Sequence, residues 1–299
     1  MTTGTLPKLT EADLAHYDEH GWWLSPEPVL TAEELAAARE AVEVVHREGA
    51  PSGAPVAKAK VHLNWKPGDT PAMRANNYAA FLHPALGRLA CHPAVGAIAS
   101  QLSRSPVIRL FNSTLVHKPA GVLDDANSVG WHTDKAYWPG CTSDRMLTAW
   151  IPLHDVTEDG SPLTVLDGSH RWPEREVADL RAVRGFAAEE KHRMEEALRR
   201  RRVDFRPVPL SMPAGHLSFH HCKTFHGSPP NRSGRPRMSL TAHLQDGDNR
   251  WRLALGTDGI PVRYQHDDQV RRTAAGEPDY ADPRLCPVVW PVEAAADAG

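Results

Sequence analysis

Between residues 106 and 246 short apolar runs alternate with turn signals: 106–118, 130–138, 146–156, 161–167, 204–211, 215–226 and 235–246. Runs this brief, closed by Gly, Pro, Asn or Ser, are too short for core helices and read as strands. With a further strand near Lys60–Trp65 they number about eight. That is enough for two stacked sheets in a jelly roll, the double-stranded β-helix of cupin-like folds. The residues before them read differently. Leu30-Thr31-Ala32-Glu33-Glu34-Leu35 opens a helix with Thr31 as N-cap and Glu34 completing a capping box. Its apolar positions Leu35, Ala38, Val42 and Val45 recur at helical spacing to about His46. A second helical stretch runs from about Pro84 to Leu102. The expectation is a mainly β fold with flanking helices: a helical part over about 10–102, a jelly-roll core over about 104–246 and a C-terminal extension over 247–299. No internal repeat or low-complexity linker interrupts it, so residues 1–299 read as one domain.

Composition narrows the partners. A formal charge of −3 supplies no field for nucleic acid or an anionic membrane, and no 18-residue apolar run suggests a membrane span. Cys91, Cys141, Cys222 and Cys286 lie far apart with no Cys-x-x-Cys, which argues against a zinc knuckle or a disulfide framework. Free thiols and an N-terminus without a signal-like apolar core suggest a cytoplasmic protein.

The chemistry is concentrated in His132-Thr133-Asp134, His226 and Arg237. Two histidines and a carboxylate make the facial triad of non-haem iron(II) oxygenases. His-x-Asp alone is weak: about one is expected by chance, and the chain holds three. His16-Tyr17-Asp18 falls in a helical stretch, where residues two apart diverge. His266-Asp267-Asp268 is followed by no further histidine. The third lies in Gly130–Trp138, which reads as a strand, where i and i+2 share a face.

Further along, Arg237-Met238-Ser239-Leu240-Thr241-Ala242-His243-Leu244 alternates polar with apolar, placing Arg237, Ser239, Thr241 and His243 on one face. An inward Arg needs a negative partner, either a structural acid or a bound anion. His216, His220 and His226 share parity unless a bulge intervenes. Pro173–Arg202 breaks the strand series with a charged helix ending in four arginines. Charge runs are usually solvated faces, and an insertion between strands is also a candidate lid.

Taken together, these pieces resemble the phytanoyl-CoA dioxygenase-like family of Fe(II)/2-oxoglutarate oxygenases, over roughly residues 10–246. The matching segments are Gly130–Asp134, Met146–Asp155, Gly160–His170 and His226–Ser233 leading to Arg237. Asp167, where the family usually has Pro, and His216, where an acid often follows Gly, depart from the pattern. The resemblance implies His132, Asp134 and His226 as iron ligands, and Arg237 with Ser228 on the distal carboxylate of 2-oxoglutarate. Thr164 and Thr114 become further co-substrate contacts. Trp131, Tyr137, Trp138 and Phe225 become substrate contacts, with Trp150 and Trp172 nearby. It implies Fe(II), 2-oxoglutarate and O2 as cofactor and co-substrates, and hydroxylation of a small molecule with release of succinate and CO2. Epimerisation, desaturation or ring closure, and an acyl-CoA or carrier-bound substrate, are alternatives. Ala/Arg/Pro-rich usage resembles GC-rich bacteria, where the family often tailors secondary metabolites, so a natural-product intermediate is favoured over an acyl-CoA. A metal-binding jelly-roll hydrolase or isomerase is the non-oxygenase reading, and it leaves Arg237 without a purpose.

Overall fold

The computed structural model describes residues 6–52, 54, 73–123, 127–183, 188–256 and 259–291. Helix α1 (Glu11–His20) starts at Thr10, whose hydroxyl accepts from the Asp13 amide while the Asp13 carboxylate accepts from the Thr10 amide. The first strand, β1, is Trp22–Leu24. Helix α2 (Ala32–Glu48) begins with the capping box of Thr31 and Glu34 and buries Leu35, Ala38, Ala41, Val42 and Val45. The stretch expected as one helix from Pro84 is two, α3 (Pro84–Ala90) and α4 (Pro93–Ser103). Pro93 cannot donate into a continuing helix, so the chain restarts there. The His92 side chain caps the new helix by accepting from the Ala94 amide.

Strands β2 (Arg74–Asn77), β3 (Ile108–Lys118), β4 (Val129–His132), β5 (Leu147–Pro152) and β6 (Leu163–Leu166) follow. After α5 (Glu174–Arg181) and α6 (Ala188–Arg200) come β7 (Pro207–Leu210), β8 (Ser218–His221), β9 (His226–Ser228), β10 (Arg237–Asp246) and β11 (Val288–Trp290). The run expected as one strand over 215–226 is thus two strands, parted by a turn in which the Thr224 amide donates to the His221 carbonyl. The expected strand at Lys60–Trp65 lies outside the described residues. The short strands β1, β2 and β11 carry no alternation long enough to announce them.

All pairings are antiparallel, in two sheets. The larger has the order β1-β8-β5-β10-β3-β11 with β2 also on β3, and the smaller has the order β4-β9-β6-β7. Alternation decides what each face of the large sheet meets. Met238, Leu240, Ala242 and Leu244 of β10 join Leu147, Ala149 and Ile151 of β5 in one core with α2, α3 and α4. The opposite face of β10 and β5 lines a cavity of about 610 Å³ that also takes residues from the small sheet. A bulge, where the register against His243 and Leu244 skips Phe111, changes the parity of β3. Ile108 and Leu110 therefore face the helices, whereas Asn112, Thr114 and Val116 face the cavity.

The charged segment 173–202 lies on the small sheet's far side. Val177, Leu180, Met194 and Leu198 pack with Leu166, Trp172 and Phe225, and α6 contacts β4. No described residue of that segment lines the cavity. Its arginines find nearby acids: Arg199 with Glu195, Arg200 with Glu196, and Arg201 with Asp179. The described part of this helix pair lays its apolar face on the small sheet. Asp167 accepts from His20 Nδ1 (2.9 Å), Trp22 Nε1 (2.8 Å) and Arg206. It thereby ties the N-terminal helix to the end of β6. Among the described residues no helix is long and apolar enough to cross a membrane.

Candidate active site

Strands β4 and β9 hold the centre of the cavity. They pair with His132 opposite His226. Their close approach depends on Gly227, where a Cβ would stand 2.7 Å from the Val129 carbonyl oxygen. The strand ends at His132, and Asp134 opens a 3-10 turn over Asp134–Tyr137. The extended run expected through Trp138 is therefore corrected. The turn still delivers the carboxylate, and the ligand atoms of His132, Asp134 and His226 lie within 4.8 Å of one another.

Each histidine is oriented from behind. Nδ1 of His132 donates to the Gly130 carbonyl (2.8 Å), and Nδ1 of His226 donates to the Thr224 carbonyl (3.0 Å). With the hydrogen on Nδ1, the Nε2 lone pair is left for a metal. Burial lowers both imidazoles below their ordinary range, which favours the neutral form that ligation requires. For Asp134, burial alone would raise the carboxyl. His226 and the hydrogen bond from His220 outweigh it and hold the group well below the usual range. Its Oδ2 accepts from Thr148 Oγ1 (2.6 Å) and His220 Nε2 (3.2 Å), while Oδ1 stands 3.7 Å from His226 Nε2. One oxygen is held by the protein and the other turns to the histidines.

Away from the triad, β10 supplies Arg237, opposite Lys118 of β3. Arg237 is 3% exposed, lines the cavity and donates through Nη1 to Ser239 Oγ. Its Nε has no acceptor among the described residues. Burial lowers it to about 10, still cationic at neutral pH, and no carboxylate among the described residues offsets that. The Trp150 ring centroid lies 5.8 Å from its guanidinium carbon. Ser228 lines the same space, with its Oγ taking a hydrogen bond from Lys118 Nζ (2.7 Å).

Of the other expected residues, Thr114, Tyr137 and Trp138 line the cavity, and Thr114 Oγ1 donates to Asn77 Oδ1 (3.0 Å). Thr164, Trp131 and Phe225 do not. On β6 the residue facing the cavity is Leu163, one position earlier, and Thr164 borders a surface cleft with Trp131 and Glu195. Phe225 is fully buried beside Trp172 (centroids 5.8 Å apart), and Trp131 flanks that cluster beneath α6. Of the parity-matched histidines, His220 and His226 reach the cavity, whereas His216 Nδ1 donates to the Ser25 carbonyl (2.8 Å). Sequence reasoning missed Thr148, Asn77, Asn112 and the C-terminal residues Arg263–Gln265, all of which line the cavity. Alternation in Thr148-Ala149-Trp150 was a usable signal for the first. Nothing local marks the others.

A family model described as Phytanoyl-CoA dioxygenase (PhyH) matches residues 17–239. A probable alpha-ketoglutarate-dependent hypophosphite dioxygenase of Stutzerimonas stutzeri is 32% identical over 152 residues, 51% of this chain and 50% of that protein. The match therefore spans about half that relative's length. An ectoine dioxygenase of Bordetella bronchiseptica is 26% identical over 254 residues, 79% of this chain and 76% of its own. Among solved structures, the epimerase SnoN in complex with Fe3+, alpha ketoglutarate and nogalamycin RO superposes with TM-score 0.63 at 25% identity, covering 93% of this chain and 98% of that one. The carbocyclase SnoK from nogalamycin biosynthesis has the same fold at TM-score 0.63 and 24% identity, covering 87% of this chain and 97% of that one.

Proposed function

The chain belongs to the phytanoyl-CoA dioxygenase family, and from that premise we propose that it is an Fe(II)/2-oxoglutarate-dependent dioxygenase hydroxylating an unactivated C–H bond of a small molecule. The observation that carries the reading is Arg237, a buried cation with an unpartnered Nε in the cavity that holds the His-Asp-His cluster. A buried charge without a partner is costly, and a dicarboxylate beside the metal supplies that partner. His132, Asp134 and His226 would hold iron(II), with their neutral Nε2 atoms and a carboxylate matching its donor preference. When bound with 2-oxoglutarate and O2, the metal supplies oxidative decarboxylation to succinate and CO2 and the oxidising power that breaks the substrate C–H bond.

The protein's own part is positional. Thr148 and His220 occupy Oδ2 of Asp134 and leave Oδ1 to ligate. Arg237, with Ser228 beside it, fixes the far carboxylate of the co-substrate. Thr114 is a weaker contact to it, and Tyr137 and Trp138 border the space left for substrate. The strand order of the two sheets fits a double-stranded β-helix. The placement of β1 and β11 in one sheet supports a single domain. Four free cysteines suit a reducing, cytoplasmic setting.

Two relatives are described as an epimerase and a carbocyclase, so radical redirection to epimerisation or ring closure is the alternative outcome at this same site. An acyl-CoA substrate finds less support, because the basic end of α6 is paired with acids and stands off the cavity. A natural-product intermediate is the better reading. The test is an anaerobic iron(II) titration with and without 2-oxoglutarate. A visible charge-transfer band that needs both is expected. Iron binding with no such band would return Arg237 to a structural role and favour a hydrolase or isomerase.

A further inference from the structure

The residue facing Arg237 across the β3–β10 ladder is a second buried cation, Lys118. Residues directly opposite share a face, so both side chains leave the large sheet on the cavity side. Lys118 is fully buried and does not itself line the cavity. Its Nζ crosses to the small sheet, donating to Ser228 Oγ (2.7 Å), the Pro229 carbonyl (2.8 Å) and Ser161 Oγ (3.0 Å), with the Ser228 carbonyl at 3.3 Å. Like charges at one rung of a ladder are destabilising, and an uncharged donor would tie the sheets without that cost. A lysine at this rung needs a reason beyond holding the sheets together.

Counting hydrogens fixes which way Ser228 works. An ammonium carries three hydrogens and no lone pair, so Lys118 donates and Ser228 Oγ must accept. Ser161 accepts from the same ammonium and gives its own hydrogen to the Pro229 carbonyl. Ser228 has no such outlet: among the described residues nothing accepts its hydroxyl hydrogen. It lies two residues after His226 on β9, and both line the cavity. Its O–H is left to point inward as a donor, strengthened by the cation behind it. Arg237 treats Ser239 in the same way. It donates to Ser239 Oγ, whose hydrogen also has no acceptor among the described residues.

We infer that Lys118 is a positioning residue for the co-substrate, acting through Ser228 to hold that hydroxyl as a donor to the distal carboxylate that Arg237 binds. This rests on the Fe(II)/2-oxoglutarate reading above and adds to it a residue that never touches the ligand. Without the ammonium the hydroxyl rotor is released, and the carboxylate loses an oriented donor.

The test compares two 2-oxo acids on the full chain loaded anaerobically with iron(II), reading affinity from the charge-transfer band. One is 2-oxoglutarate. The other is 2-oxopentanoate, which keeps the chelating end and has a methyl group in place of the distal carboxylate. Lys118→Met should weaken 2-oxoglutarate about three- to tenfold and leave 2-oxopentanoate unchanged. Ser228→Ala should weaken 2-oxoglutarate at least as much, and the double variant should be no weaker than Ser228→Ala alone. Losses that add in the double variant would show Lys118 acting independently of Ser228, and equal losses for both acids would show a structural role. Either result overturns the inference, as does an unchanged 2-oxoglutarate affinity. If Lys118→Met does not fold, Lys118→Gln is read in its place, with a smaller loss expected because a neutral donor remains. Failure of both to fold marks the lysine as structural and also overturns it. Absence of the band in the unsubstituted chain counts against the proposed function instead. Glutarate, titrated by thermal midpoint, then still reads the pair: a shift diminished in both single variants is expected, and one retained in Lys118→Met overturns the inference.

Discussion

The large and small sheets contribute to the same cavity by opposite means. The large sheet is regular: ten residues of β10 alternate without interruption, sending Arg237, Ser239, Thr241 and His243 to the cavity and the apolar partners to the helices. The small sheet is built of three- and four-residue strands, and its functional groups sit where those strands begin or end. His132 closes β4, Asp134 opens a turn and His226 begins β9. The difference teaches that Arg237 and its neighbours reach the cavity by period-two geometry, whereas the His-Asp-His cluster is set by strand ends and a turn, its histidines pinned by backbone carbonyls.

The sharpest way to break this contrast is in the small sheet. Asp134→Ala should abolish turnover and tight iron(II) binding, measured by anaerobic titration and succinate release. Full activity in that variant would remove the triad from the chemistry. On the large sheet the two faces should separate. Leu240→Ala, on the helix-facing side and fully buried, should cost about 2–5 kcal/mol of stability while leaving 2-oxoglutarate affinity unchanged. Denaturant melts and ligand titration on one sample decide it. Arg237→Ala should do the reverse. It should weaken 2-oxoglutarate by about 1.5–3 kcal/mol with iron binding retained, and the ligand-free protein should lose no stability, because an uncompensated buried charge has been removed.

A smaller effect is expected with pH. Burial pushes His243 and His117 of the large sheet, and His46 packed against His117, down to about 4. Unfolded histidine titrates near 6.5, so between those values the unfolded chain binds more protons than the native one. Stability of the metal-free protein should therefore fall as pH is lowered from about 6.5 toward 4. A flat thermal midpoint across that window would mean these side chains are solvated in solution. The smallest expected change is Thr148→Val, which removes one of the two hydrogen bonds on Asp134 Oδ2. About 1 kcal/mol of iron affinity should be lost and Thr148→Ser should restore it.

This contrast also explains what could be read from the residues alone. The face assignments of β10 were legible because alternation over that length admits one register. The triad was legible because two of its members lie two residues apart in a strand-like context. Thr164 was misplaced by one residue on β6, where four residues cannot fix parity. The single strand expected over 215–226 hid a sheet change, since the turn at 222–225 contains neither Gly nor Pro. Trp131 and Phe225 read as substrate contacts by proximity in sequence, but α5 and α6 claim them as packing surface. Arg263–Gln265 carry no local pattern at all, and only tertiary contact brings them to the cavity.

The seating of β11 on β3 has a consequence for biogenesis. Strand β3 is made early, yet β10, which supplies its longest pairing, comes some 120 residues later; β2 covers the far end of its other edge, and Val288–Trp290 closes the near end at Ile108 and Arg109. Contacts of such sequence separation form late, because long loops must close before they are rewarded. A chain emerging from the ribosome can assemble α2 to α4 first, but the cavity wall at Arg263–Gln265 must wait for nearly all the residues described. The cavity is therefore closed late, when Arg263–Gln265 join a wall whose other residues come from strands made far earlier.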